Sequence, residues 1–103
     1  MQNKQQALNL LGLAQKAGKI ISGFDLVSAG LTAKQVKIVI LANDSHDDTR
    51  EKITRNAVQN QVDVISSFTS MELSQAIGKN RKVLGLTDRG FSRALVQKIN
   101  EGV

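Results

Sequence analysis

Five consecutive apolar residues, Ile38-Val39-Ile40-Leu41-Ala42, constrain the fold more than any other stretch of this chain. Three of the five are β-branched, which favours an extended strand over a helix. The run does not alternate with polar residues, so both faces of that strand must be covered. A sheet covered on both faces needs helices on each side, and the rest of the chain supplies the patterns for them.

Ala7, Leu8, Leu10, Leu11, Ala14 and Ala17 recur at helical spacing, and Gly18 is placed to end that helix. Lys19-Ile20-Ile21-Ser22 predicts a short strand, and Leu26, Val27 and Leu31 predict a second helix after Gly23. Asn43 to Asp48 supplies acidic first-turn residues to a third helix, with Ser45 or Asp47 as its cap. Ile53, Ala57 and Val58 form the apolar stripe of that helix. Val62 to Phe68 predicts another strand. Thr69-Ser70-Met71-Glu72 has capping-box spacing and opens a helix through Leu73, Ala76 and Ile77, which Gly78 stops. Val83-Leu84-Gly85-Leu86 predicts the last strand, and Phe91, Ala94, Leu95 and Ile99 line the last helix. This regular alternation predicts one domain over residues 1–103. Its architecture is a three-layer α-β-α sandwich with a four-stranded mixed sheet and about five helices.

Several function classes find little support. There is no cysteine, so disulfides and thiolate–metal sites are excluded. No apolar run approaches the ~20 residues of a membrane span, and the first residues lack a signal-peptide layout, so the expected location is cytoplasmic. Gly12 to Gly18 followed by Lys19 imitates a phosphate-binding loop. However, five residues separate the glycines instead of four, Ile20 follows the lysine, and the segment lies inside a helix. Asp44, His46, Asp47 and Asp48 form the one cluster with metal-ligand chemistry, but a helix start accounts for the same acids without an ion. One histidine, no nucleophile elbow, and Asp25, Asp44 and Asp88 without acid/base spacing argue against an enzyme. Neither a cofactor nor a metal is expected.

Charge points elsewhere. Fourteen Lys and Arg against nine Asp and Glu give a formal charge of +5, which favours a polyanionic partner. Lys79-Asn80-Arg81-Lys82 concentrates three cations and an amide after Gly78, immediately before the last strand. A loop at a sheet end presents such residues to phosphates, with Asn80 within reach of a base edge. Lys16 and Lys19 are expected to extend the basic face. With Phe24, Phe68 and Phe91 as its whole aromatic content, the chain lacks the stacking platform of a single-strand binder, so structured RNA is the expected ligand.

Two stretches carry a resemblance. One is Ser22-Gly23-Phe24-Asp25-Leu26-Val27-Ser28-Ala29; the other runs from Ala33-Lys34-Gln35-Val36 to Ala42-Asn43-Asp44. Together they resemble the kink-turn-binding ribosomal-protein superfamily of the L-seven-Ae type. The helix from Met71 to Gly78 is also similar. The opening Gly12 to Lys19 and the closing Leu86-Thr87-Asp88-Arg89-Gly90-Phe91 are similar to its bacterial YlxQ branch. The resemblance implies an α-β-α sandwich that grips sharply bent RNA in connection with ribosomes or translation. Carried onto this chain, the RNA face comprises Gly23, Asp25, Leu26 and Ala29, then Asn43 and Asp44, then Ile77, Gly78, Lys79, Asn80, Arg81 and Lys82. Three positions depart from the family's pattern: Asp25 stands for Asn, Leu26 for Glu and Ala29 for Lys. Each lost base contact costs about 1–3 kcal/mol of discrimination. The implied partner is ribosomal or other structured RNA, bound by a monomer. The alternative is a protein-interaction module of the same fold, using Phe24 or Leu26 as its contact patch.

Overall fold

A computed structural model describes residues 2–100. The order of elements is α1 (Gln2–Lys16), β1 (Ile20–Ser22), α2 (Phe24–Thr32), β2 (Ile38–Leu41), α3 (Asp47–Gln59), β3 (Val64–Ile65), α4 (Ser70–Ile77), β4 (Val83–Leu86) and α5 (Arg89–Asn100). The strands form one sheet in the order β1-β4-β2-β3. β4 runs antiparallel to β1 and β2, whereas β2 and β3 are parallel, so the sheet is mixed as expected.

All four residues of β2 and all four of β4 are buried, as the unbroken apolar run requires. The strand pleat then divides them between two cores. Ile38, Ile40, Leu84 and Leu86 face Ala7, Leu11 and Ala14 of α1, Leu73 of α4 and Leu95 of α5. Val39, Leu41 and Val83 face Val27 and Leu31 of α2 and Ile53 and Ala57 of α3. Each such buried aliphatic side chain contributes roughly 1.5–3 kcal/mol. The three layers are therefore α1/α4/α5, the sheet, and α2/α3.

α2 lies very close to the sheet at Gly30. A Cβ there would come within 2.7 Å of the Ile21 Cδ1 atom and 2.8 Å of the Val36 Cγ2 atom. Gly12, the first glycine of the imitation phosphate loop, sits inside α1, where a Cβ would approach the Ala76 carbonyl oxygen to 3.0 Å. Helix packing accounts for Gly12 without a phosphate.

Three local expectations are corrected. The strand expected over Val62 to Phe68 shrinks to Val64–Ile65, because it is an edge strand paired only with β2 and the chain then leaves the sheet. Phe68 is a fully buried core residue supplied from the following loop. In α3, Ile53 and Ala57 are buried but Val58 is 68% exposed, so the stripe is narrower than its spacing suggested. His46, not Ser45 or Asp47, occupies the N-cap position of α3, without a side-chain cap bond. Ser45 Oγ instead donates to the Ala42 carbonyl oxygen at 2.8 Å, tightening the turn out of β2. Asp47 and Asp48 do lie in the first turn, where they oppose the positive end of the helix dipole.

Candidate nucleic-acid interface

The strand directions decide which loops meet. β1 and β2 end where antiparallel β4 begins, with Ser22 opposite Leu84 and Leu41 opposite Val83. The start of α2, the loop after β2 and the loop before β4 therefore share one end of the sheet. Backbone hydrogen bonds join all three segments. The Gly23 N–H donates to the Val83 carbonyl oxygen at 2.9 Å, and the Ala42 N–H donates to the Lys82 carbonyl oxygen at 2.8 Å.

Gly23 allows the sharp turn from β1 into α2. Its φ of 99° belongs to the region that side chains disfavour, and space for a Cβ is open there, so the requirement is backbone conformation and not crowding. The helix then starts without a side-chain cap. Asp25, Leu26 and Ala29 are exposed on it, with Leu26 61% accessible and neighbouring Phe24 37%.

The loop after β2 is held rigidly. The Asn43 N–H donates to the Phe68 carbonyl oxygen at 2.9 Å. The Asp44 carboxylate accepts from both the backbone N–H and the hydroxyl of Ser70, each at 2.9 Å. The Ser70 hydroxyl and N–H hold the Asp44 carboxyl below the ordinary carboxylate value, since they favour its charged form. Arg50 Nη2 reaches back from α3 to donate to the Asn43 carbonyl oxygen at 2.7 Å. Asp44 thus clamps two loops together, a positioning job that motif reading had placed on the contact face itself.

α4 presents the basic loop. Its capping box is complete: Thr69 accepts from the Glu72 N–H, and Glu72 accepts from the Thr69 N–H at 2.9 Å. Gly78 ends the helix at a φ of 75°. The Arg81 N–H donates to Ser74 Oγ at 3.3 Å, folding the loop back on the helix. Lys79, Asn80, Arg81 and Lys82 are all exposed, whereas Ile77 is buried and serves the core.

Sequence reasoning missed a depression beside this loop. Met71, Ser74 and Gln75 line it with Gly78, Lys79 and Asn80, enclosing about 370 Å³. Met71, Ser74, Gln75 and Gly78 recur at i, i+3, i+4 and i+7, so this helical face was readable, but only the capping box, the apolar face of Leu73, Ala76 and Ile77, the Gly78 stop and the family likeness were drawn from that segment. Arg50 was also missed; it carries no motif, and its role depends on a loop fold that spacing does not encode.

Lys16 and Lys19 stand apart from the other positions. They precede β1, and the Thr87 N–H beyond the far end of β4 donates to the Lys19 carbonyl oxygen at 3.0 Å. Both are therefore at the opposite end of the sheet and do not extend the face built by Lys79, Arg81 and Lys82. Asp88 is likewise at that far end, separated from Asp25 and Asp44; it caps α5 by accepting from the Phe91 N–H at 2.9 Å. Among the described residues no three His, Asp or Glu side chains group as a metal site. No helix among them is long and apolar enough to cross a membrane.

Fold and site together define an α-β-α sandwich that offers a helix start, a clamped loop and a basic loop at one sheet end. The chain belongs to the Ribosomal protein L7Ae/L30e/S12e/Gadd45 family, whose model matches residues 5–96. It is 41% identical over 91 residues to the RNA-binding protein YlxQ of Enterococcus faecium, covering 88% of each chain. It is 34% identical over 92 residues to the RNA-binding protein YlxQ of Bacillus subtilis, covering 88% of this chain and 92% of the relative. The resemblance to the YlxQ branch drawn from sequence motifs therefore holds. A solved protein of unknown function from Bacillus halodurans superposes with a TM-score of 0.88 at 36% identity, over 91% of this chain and 96% of that one. A 15.5 kD RNA binding protein of Giardia lamblia superposes with a TM-score of 0.78 at 14% identity, over 98% and 88%, and shares the fold.

Proposed function

We propose that this chain is an RNA-binding protein, acting as a single-domain monomer in the cytoplasm on ribosomal or other structured RNA, and that it is not an enzyme. The observation that carries this reading is the convergence of three backbone-locked segments, one of them holding exposed Lys79, Arg81 and Lys82, at one end of the sheet. The names of its YlxQ relatives support the same reading. The cations contact phosphates, while the α2 start and the depression beside α4 lie next to the bases. Asp25, Leu26 and Ala29 weaken the family's kink-turn readout, because they remove an amide donor, a carboxylate acceptor and a cation from the helix that would read the kink.

The test compares a kink-turn RNA, an unkinked duplex and ribosomal RNA fragments at two salt concentrations. Lys79→Gln, Arg81→Gln and Lys82→Gln combined should weaken binding to every RNA and flatten the slope of log K against log salt by about one per cation. Unchanged affinity and slope in this variant would remove the loop from the site. A second reading is favoured by the exposure of Phe24 and Leu26, which gives α2 an apolar surface suited to a protein partner. Absence of binding to all three RNAs would leave that reading standing.

A further inference from the structure

The charges of this protein are not distributed as its proposed RNA face would suggest. At the end of the sheet that holds Lys79, Arg81 and Lys82, Lys4 and Arg50 add two cations. Asp25, Asp44, Asp47, Asp48 and Glu72 set five carboxylates against these five, although Asp48 is already paired with Lys52 at 3.2 Å. Lys4 is in fact spent on Glu72, at 2.8 Å. Counting Lys52, this end carries six cations against five carboxylates among the described residues, close to balance.

The opposite end is not. Lys16 and Lys19 precede β1, Lys34 and Lys37 precede β2, and Arg89 and Arg93 lie in the first half of α5, just beyond β4. Backbone bonds bring these segments together: Lys37 N–H donates to the Leu86 carbonyl oxygen at 2.7 Å, and Thr87 N–H to that of Lys19. Lys19 and Lys37 thus flank β4, about two strand spacings or roughly 10 Å apart. Arg93 and Lys37 line a common groove of about 520 Å³ with Asp63. Against six cations this end carries two carboxylates, Asp63 and Asp88, and Asp88 is engaged as the cap of α5. Five of the six cationic residues are exposed, Lys37 being half-buried. Most of the net charge of +5 is therefore concentrated away from the family's RNA face.

We infer that the opposite end of the sheet, centred on Lys19, Lys37 and Arg93, is a second nucleic-acid contact that holds the phosphate backbone of another RNA segment, so that the protein bridges two RNA elements. The inference rests on the RNA-binding reading. Its chemistry is that of backbone attraction: exposed cations spread over three strand ends, with Gln97 and Asn100 sharing the groove of Lys37 and Arg93. The nearly balanced end would position and select RNA, and the charged end would attract it without regard to sequence.

The test uses the full chain with two short RNA duplexes, one carrying a donor dye and one an acceptor, in excess over protein. Wild type should give energy transfer between them. Lys19→Gln, Lys37→Gln and Arg93→Gln combined should still bind one duplex but lose the transfer, with the salt slope of total binding falling by about three. Lysine–RNA cross-links should map to Lys19 or Lys37 as well as to Lys79 or Lys82. Transfer and cross-links equal to wild type in this variant would overturn the inference. Cross-links confined to Lys79 and Lys82 would overturn it too, while leaving the RNA-binding reading intact. A wild-type protein that bound no duplex would overturn the inference alone, and one that also bound neither a kink-turn RNA nor ribosomal RNA fragments would overturn both. Wild-type binding to phosphatidylglycerol vesicles, lost in the variant, with no bridging of RNA would reassign the patch to a lipid surface.

Discussion

Asp44 accepts two hydrogen bonds from Ser70 although it sits in a loop open to solvent, and this sets how it responds to acid. A carboxyl whose folded pKa is depressed contributes stability that is fully present above its ordinary value and is lost as pH falls through the lowered one. Asp44→Asn keeps an oxygen for the Ser70 N–H but cannot titrate. This variant should show a shallower loss of stability below the ordinary carboxylate range, measured by urea unfolding at a series of acidic pH values. An acid limb identical to wild type would show that the clamp is not held by charge. The sequence reading placed Asp44 beside Asn43 in the candidate site. Its task was not legible, because Ser70 lies 26 positions away and only the folded chain brings the two together. Leu26 shows the converse. It marked the helical spacing of α2 together with Val27 and Leu31, which are buried, whereas Leu26 faces solvent next to the uncapped helix start.

Elements were legible where periodicity and capping agreed. α4 has eight residues, too few for a stable helix by propensity alone, so its ends must be secured. The spacing Thr69 to Glu72 announced the capping box, and the structure forms both of its bonds. Thr69→Ala should cost about 1 kcal/mol by freeing the first-turn N–H groups. Because α4 carries Ser74, which holds Arg81, the same change should raise hydrogen exchange through residues 78–82 more than in α5. Equal protection in the loop would mean that β4 alone positions it. β3 was read less well. Its pattern of Val62, Val64 and Ile65 is that of a longer strand, but an edge strand with one neighbour ends once the chain must turn inward. Phe68 makes it turn, since burying that ring against α1 and α4 outweighs two further ladder bonds.

At the scale of the whole molecule, the sandwich and its layers followed from one apolar run and the alternation around it, whereas the partition of charge between the two sheet ends did not. Sequence places Lys16 and Lys19 a few residues from Gly23, and only the antiparallel pairing of β1 with β4 reveals that a strand's length separates them. The partition makes a prediction that needs no ligand. Six cations and two carboxylates crowd one end, so removing three of the cations relieves repulsion. At the other end six cations, Lys52 among them, face five carboxylates, and removing three leaves acids in excess. Lys19→Gln, Lys37→Gln and Arg93→Gln combined should therefore raise the melting temperature at low salt, while Lys79→Gln, Arg81→Gln and Lys82→Gln combined should lower it. Exposed charges contribute a few tenths of a kcal/mol each. Each triple change is then worth about 0.5–1 kcal/mol, a shift of a few degrees in a chain of this length. Both differences should shrink as added salt shortens the screening length. Calorimetry at two ionic strengths reads the sign directly, and shifts in the same direction for the two variants would show that the ends are not electrostatically distinct.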